Sequence, residues 1–286
     1  MRNPALLVDE VAERAREFEF RDEDFNALRT LVREQTGISL SEAKRELVYG
    51  RLTRRLRALR LPSFSAYRDL LARNPDGPEM VEFTNAITTN LTSFFRESHH
   101  FDYLRDHVLL PLLKRGGTQR LRIWSAGCST GEEPYSIAMT IREAVPENAR
   151  HDIKILATDL DSEVLSRARN GLYGEDRVKG LSAARMSRFF SDDKSGKYRV
   201  VPALSELITF NQLNLMNALP MKGPLDVIFC RNVVIYFDKD TQRDLFKRYA
   251  QLQRPGDILF LGHSESMFKV SDDYTLVGRT VYRRNA

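Results

Sequence analysis

Cysteine is nearly missing from this chain of 286 residues. Only Cys128 and Cys230 are present, too few for the staple framework of a small secreted domain. No run approaches the roughly 20 consecutive apolar residues that a membrane span needs. Residues 1–10 turn acidic before a signal-peptide core can form. Low-complexity tracts and internal repeats are also absent. Secreted, disulfide-built and membrane-spanning classes are thereby excluded, and a reducing, cytoplasmic location with both thiols buried is expected. A hydrophobic fraction of 42% is too high for a disordered chain. The length fits one large domain or two small ones.

Excess charge is absent from most of the chain as well. The net charge is +5, and residues 41–60 alone carry Lys44, Arg45, Arg51, Arg54, Arg55, Arg57 and Arg60 against Glu42 and Glu46. A neutral body with one basic helix points to a local anionic partner rather than to general nucleic-acid affinity.

Residues 22–88 read as helical. Asp22 is the expected N-cap of a helix carrying Phe25, Leu28, Leu31 and Val32, with Gly37 closing it. Ser41 is the expected cap of the next helix, where Val48, Leu52, Leu56 and Leu59 recur at helical spacing. Lys44, Arg51 and Arg55 fall on a stripe beside that apolar face, with Arg54 flanking it. Pro62 ends this helix. Beyond residue 88 the pattern changes to short apolar runs at 121–125, 153–158, 226–230 and 258–261, separated by helical stretches near 134–145, 161–170 and 238–252. This alternation predicts an α/β fold, a doubly wound and mostly parallel sheet covered on both faces. The final strand candidate, at 274–277 and 280–283, follows without room for a crossover helix and should be antiparallel to its neighbour. Residues from about 174 to 206 interrupt the scheme with a short helix (182–190), a polar turn (192–196) and a strand (198–201), an inserted antiparallel unit. Residues 1–17 carry no assignment. The expected division is 1–88 and 89–286, with a linker near 86–92.

In open parallel sheets, ligands bind beyond the carboxyl ends of the strands. The first strand runs into Ser125-Ala-Gly127-Cys-Ser-Thr-Gly131-Glu-Glu133-Pro134, where Gly127 permits close backbone approach. The spacing is not Gly-x-Gly-x-x-Gly, and two glutamates stand where a pyrophosphate would want bare N–H groups, so a cationic or zwitterionic ligand suits it better. Asp159 closes the second strand, placed to accept ribose hydroxyls or to cap the next helix, a task open to Asp161 or Ser162 as well. Arg231 and Asn232 close the strand at 226–230, and Asn214 ends the run from Phe210. An acid for a ribose, with acids and amides for an amino-acid moiety, fits S-adenosylmethionine better than NAD or ATP. No P-loop is present.

Several stretches together carry a resemblance. They are Lys44-Arg-Glu-Leu-Val-Tyr-Gly-Arg-Leu-Thr-Arg-Arg-Leu-Arg57, Thr88-Thr-Asn-Leu-Thr-Ser-Phe-Phe-Arg-Glu97, Ser129-Thr-Gly-Glu-Glu-Pro-Tyr-Ser-Ile137, Ala157-Thr-Asp-Leu-Asp161, Ile228-Phe-Cys-Arg-Asn-Val-Val-Ile-Tyr-Phe-Asp238 and Gly262-His-Ser-Glu265. Over nearly its whole length the chain resembles the chemotaxis receptor methyltransferases, the CheR family. The resemblance implies a helical N-terminal receptor-docking domain, a class I methyltransferase domain and a small inserted β-subdomain. It implies a cofactor site of Asn90, Thr92, Arg96, Glu133, Asp159, Asn214, Leu215, Arg231 and Asn232, to which the glycine turn adds Gly127. Spacing alone does not assign Asn90, Thr92 or Arg96.

The implied reaction passes the methyl of S-adenosylmethionine to glutamate carboxylates in the cytoplasmic domain of methyl-accepting chemoreceptors, giving methyl esters and S-adenosylhomocysteine. Arg96 and Tyr236 are the candidates for orienting the carboxylate, and Lys44, Arg51, Arg54 and Arg55 for docking the receptor. A monomer is expected. A nucleic-acid methyltransferase is the first rival, but the Asn/Asp-Pro-Pro-Tyr/Phe motif of base-amino methylation is replaced by Arg231-Asn232-Val233-Val234. A non-catalytic receptor-binding adaptor is the second. His99, His100 and His107 lack a ligand spacing, so no metal is expected. Gly262-His-Ser-Glu265 lacks a nucleophile elbow, which excludes a hydrolase. Some family members tether to a receptor's C-terminal pentapeptide through an edge strand of the inserted sheet. The short charged turn at 191–197 predicts that this chain does not.

Overall fold

Three acids in the first turn and a buried stripe of Phe25, Leu28 and Val32 define helix α1, Asp22–Thr36. The N-cap is Arg21, not Asp22: the Asp22 carboxylate lies 2.6 Å from the Arg45 guanidinium instead. Gly37 closes α1 at φ 73°, a left-handed position that suits a residue without Cβ. A short 3-10 turn, Glu42–Lys44, stands where a Ser41 side-chain cap was expected, and leads into α2, Arg45–Leu59. Val48, Leu52 and Leu56 are fully buried on α2. The helix stops at Arg60, left-handed at φ 55°, before Pro62 is reached. Helices α3 (Phe64–Arg73, capped by Ser63) and α4 (Pro78–Ile87) complete a core around Phe20, Phe25, Phe64, Tyr67 and Phe83.

A computed structural model describes residues 16–146, 149 and 151–286. Apart from its last two residues, the unassigned opening segment 1–17 lies outside them. The chain divides into two compact units, Met1–Thr88 and Thr89–Ala286.

The second unit opens with a helix in three parts: α5 (His99–Tyr103), a π-helical stretch (Leu104–Leu109) and α6 (Leu110–Lys114). Pro111 lacks the N–H that would continue an α-helical ladder, which accounts for the widened turn before it. Strands and helices then alternate: β1 (Arg120–Ala126), α7 (Glu132–Ala144), β2 (Asp152–Asp159), α8 (Ser162–Asn170). The insertion follows as β3 (Leu172–Gly174), α9 (Glu175–Val178), α10 (Ala183–Phe189), β4 (Phe190–Asp192), β5 (Lys197–Val200) and α11 (Pro202–Ser205). The chain returns through β6 (Ile208–Gln212), β7 (Val227–Cys230), α12 (Lys239–Leu252), β8 (Ile258–Leu261), β9 (Tyr274–Gly278) and β10 (Val281–Arg284).

The seven-stranded sheet has the order β6-β2-β1-β7-β8-β10-β9. The first five are parallel, while β10 runs antiparallel to β8 and to β9, as the missing crossover predicts. Every residue of β7 and β8 is buried, the mark of strands covered on both faces. Cys128 and Cys230 are buried free thiols. The inserted sheet has the order β3-β5-β4, all antiparallel. It starts at Leu172, slightly earlier than expected, and the strand expected at 198–201 is its centre. That strand is paired on both sides, so it offers no edge to a further strand.

Candidate active site at the carboxyl edge of the sheet

The order reverses at β1, with β2 on one side and β7 on the other, and such a switch point opens a crevice at the strand ends. Gly127 and Gly131 bound the turn after β1 with φ 90° and 98°. A Cβ on Gly127 would lie 2.4 Å from Val233 Cγ2, so this glycine lets the loop after β7 pack against the turn. The N–H groups of Gly127 and Cys128 both donate to Thr158 O, at 2.8 and 2.9 Å, tying the turn to β2.

Asp159 ends β2 in the buried interior of this edge. Its Oδ2 accepts Ser129 N at 2.7 Å and its Oδ1 accepts Asp161 N at 3.0 Å. Burial pushes its pKa up to about 6, against the pull of these N–H groups. The cap of α8 is Asp161, which accepts Glu163 N and Val164 N. Asp159 is therefore spared capping. Asn90 joins this group: its Nδ2 donates to Asp161 Oδ2 at 2.7 Å, and its carbonyl accepts Ser129 Oγ at 3.0 Å.

The two glutamates of the turn part company. Glu132 is fully buried and accepts Thr130 Oγ1 at 2.6 Å and Arg177 Nε at 2.9 Å; it faces the insertion. Glu133 accepts Ser125 Oγ at 2.7 Å and Arg231 Nη1 at 3.1 Å. Burial raises its pKa, with Arg231 pulling it down. Arg231 lies between two acids, since its Nη2 is 3.4 Å from Glu97 Oε2 and also donates to the Arg96 carbonyl. Burial would raise the Glu97 pKa, but Arg231 and His263 outweigh it and hold the carboxyl at about 2.

Residues 90–97 are fastened to the same edge. Arg177 Nη2 donates to Thr92 O at 3.1 Å, and Phe95 N donates to Ser136 Oγ at 2.9 Å. Phe94 packs edge-on against Tyr173 and Phe190 of the inserted sheet, and the Arg185 guanidinium sits 3.6 Å over the Phe95 ring. Arg96 stands between two left-handed residues, Phe95 (φ 52°) and Glu97 (φ 57°), conformations a non-glycine residue keeps only when its surroundings enforce them. Its Nη1 donates to Leu91 O at 2.9 Å.

On the far side of β2, Leu213 N donates to Asp159 O at 2.9 Å, bringing Asn214 and buried Leu215 to the edge. Asn214 Oδ1 accepts Met216 N, and Arg248 holds the Leu215 carbonyl. Asn232, at φ 59°, and half-buried Tyr236 ride on the loop after β7. The residues expected to hold the cofactor thus lie on strand ends and loops of one edge, with Glu133 in the first turn of α7. Sequence reasoning missed Ser129, Glu97, Arg177 and Glu265. Residues 262–265 were visible as a motif without a role; the others act through contacts distant in sequence.

Glu97, His99 and His100 offer ligand atoms within 4.8 Å of one another. The Arg231 guanidinium already supplies the positive charge there, and burial together with Arg231 pushes the His100 pKa down to about 3. His107 is elsewhere, stacked on Tyr103 with ring centroids 4.1 Å apart.

On α2, Arg51 Nη1 donates to the carbonyls of Ala86, Ile87 and Thr88 at 3.3, 2.6 and 2.8 Å, closing the C-terminal end of α4. Arg55 pairs with Glu79 at 2.5 Å and Glu82 at 2.8 Å. Lys44 and Arg54 are exposed.

Residues 23–88 match the all-alpha domain of CheR methyltransferases and residues 90–283 match their S-adenosylmethionine-binding domain. The chain is 48% identical to chemotaxis protein methyltransferase 2 of Pseudomonas aeruginosa over 270 residues, covering 93% of this chain and 94% of that protein. It is 45% identical to a probable chemotaxis protein methyltransferase of Rhizobium etli, covering 88% and 96%. With the chemotaxis protein methyltransferase of Escherichia coli the identity is 43%, covering 91% and 90%. The second unit is thus an S-adenosylmethionine-binding methyltransferase domain, and the chain belongs to the CheR family of chemotaxis methyltransferases.

Proposed function

We propose that this enzyme methylates glutamate side chains on the cytoplasmic domain of methyl-accepting chemoreceptors, leaving methyl esters and S-adenosylhomocysteine. When bound, S-adenosylmethionine supplies a sulfonium methyl, an electrophile that needs no further activation. Asp159 would accept the ribose hydroxyls. Gly127, Asn90, Thr92, Glu133, Asn214, Leu215, Arg231 and Asn232 would hold the remainder.

A glutamate with a pKa of about 4.3 is already ionised at neutral pH, so the chain needs no general base. Its task is orientation, which contributes roughly 7–11 kcal/mol at best. Arg96 suits this because a planar guanidinium offers paired donors to a carboxylate, and Tyr236 adds a hydroxyl donor. The observation that carries this reading is the Arg96 turn, held by two left-handed residues and backed onto Arg231 at the edge that Asp159 occupies.

Among the described residues no helix is long and apolar enough to cross a membrane, and both thiols are buried and free; the reading includes a cytoplasmic monomer without a nucleic-acid partner. The test is transfer of labelled methyl from S-adenosylmethionine to purified chemoreceptor fragments. Base-labile label on glutamate is expected. Absence of transfer, or label stable to base, would overturn the reading.

A further inference from the structure

After β8 the chain turns back on the sheet edge through residues 262–265. Glu265 is 5% exposed, yet forms no ion pair among the described residues. Its carboxylate is filled by backbone N–H groups instead. Oε1 accepts Val233 N at 2.8 Å and Ile235 N at 3.1 Å; Oε2 accepts Asn232 N at 2.8 Å and Gly262 N at 2.6 Å. Three of the four donors lie between Arg231 and Tyr236. Burial raises the Glu265 pKa, and the four N–H groups oppose it.

The loop is held from its other side too. Gln242 Nε2 donates to the carbonyls of Val234 at 2.8 Å and Phe237 at 3.0 Å. Gly262 lets the loop come close, since a Cβ there would lie 2.4 Å from Asn232 Nδ2 and 2.8 Å from Asn232 N. His263, between them, stands 3.0 Å from Glu97 Oε1, next to Arg96. One turn therefore touches both segments that carry the candidate catalytic residues.

We propose that the turn at 262–265 is a positioning element for methyl transfer, in which Glu265 fixes Asn232 and Tyr236 in their working places. This rests on the reading of Asn232 as a cofactor-binding residue and Tyr236 as the residue that orients the receptor carboxylate. Each oxygen of an ionised carboxylate can serve two donors. Glutamine has the same shape but one such oxygen, and its amide N–H groups would meet two backbone N–H groups head-on. The loop must then shift, while the fold is spared a cavity.

The experiment compares wild type, Glu265→Gln, Asn232→Ala, Tyr236→Phe and the double variant Glu265→Gln/Tyr236→Phe. Thermal unfolding, S-adenosylmethionine affinity by calorimetry, and kcat on receptor fragments are measured for each. Glu265→Gln should stay folded at assay temperature, bind cofactor at least fivefold more weakly and turn over at least tenfold more slowly. Adding Tyr236→Phe to it should cost less than threefold more, because the tyrosine is already displaced. Unchanged affinity and turnover in Glu265→Gln, or losses that multiply in the double variant, would overturn the proposal. If Asn232→Ala and Tyr236→Phe are themselves silent, the site reading fails and the proposal falls with it. Should Glu265→Gln not fold, Gly262→Ala replaces it: crowding Asn232, it should weaken cofactor binding at least fivefold, and unchanged affinity would overturn the proposal.

Discussion

Asp159 combines burial with a position at the end of β2, and its pKa of about 6 has a consequence for binding. Ribose hydroxyls donate best to the ionised carboxylate, so affinity for S-adenosylmethionine approaches its full value about one unit above this pKa. It should fall as pH drops through the raised pKa and level off where the neutral carboxyl's weaker affinity takes over. Asp159→Asn should weaken binding by about 1.5–3 kcal/mol, the worth of a hydrogen bond to a charged group, and abolish this pH dependence. Calorimetry between pH 5 and 8 checks both; unchanged affinity would remove Asp159 from the ribose. Tyr236→Phe should instead leave cofactor affinity intact and lower kcat by roughly 10–150-fold, the same single charged hydrogen bond lost at the reacting carboxylate. A defect confined to binding would show that Tyr236 serves the cofactor. Asp159 was legible in the sequence because a polar residue closing an apolar run stands out, and Glu133 because two glutamates follow the glycine turn. Glu265 was not, since three of its four partners are backbone N–H groups some thirty residues away, and side-chain patterns do not record them.

On the element scale, α2 shows where periodicity stops being informative. The spacing of Val48, Leu52 and Leu56 identified the buried face, and all three are fully buried. The same spacing grouped Lys44, Arg51 and Arg55 as one docking stripe. A helical wheel does not contain the neighbouring helix, however, and α4 supplies partners for two of them. Arg55 is 23% exposed and its partner Glu79 is 15% exposed, and Glu79 also accepts the Tyr67 hydroxyl at 2.8 Å. Arg55→Ala should therefore destabilise the enzyme by about 1.5–3 kcal/mol, read as a lower denaturant midpoint. Lys44→Glu with Arg54→Glu should leave that midpoint within about 0.5 kcal/mol and slow receptor methylation without changing cofactor affinity. The wild-type rate should fall as salt rises, because exposed charges are screened. A salt-independent rate would argue that α2 is a solvated surface rather than a docking site.

For the whole molecule, two features compete as the receptor tether: the basic helix of the first unit and the inserted sheet of the second. A peptide adding by β-augmentation needs an open edge long enough to supply alternate main-chain hydrogen bonds. In the inserted sheet β5 is paired on both sides, which leaves β3 and β4, each three residues long. The turn joining β4 to β5 is drawn tight by Asp193, whose Oδ1 accepts Ser195 N at 3.0 Å and Lys197 N at 3.2 Å. Short edges beside a charged turn are what chains use to discourage added strands. The insertion already has another task, since Arg177, Arg185 and Tyr173 fasten residues 92–95 at the active site. Free C-terminal receptor pentapeptide should accordingly give no heat of binding in calorimetry, and receptors truncated before it should be methylated at the rate of intact ones. Micromolar binding, lost when β4 is altered by Ser191→Pro but retained in Lys44→Glu with Arg54→Glu, would place the tether on the inserted sheet instead.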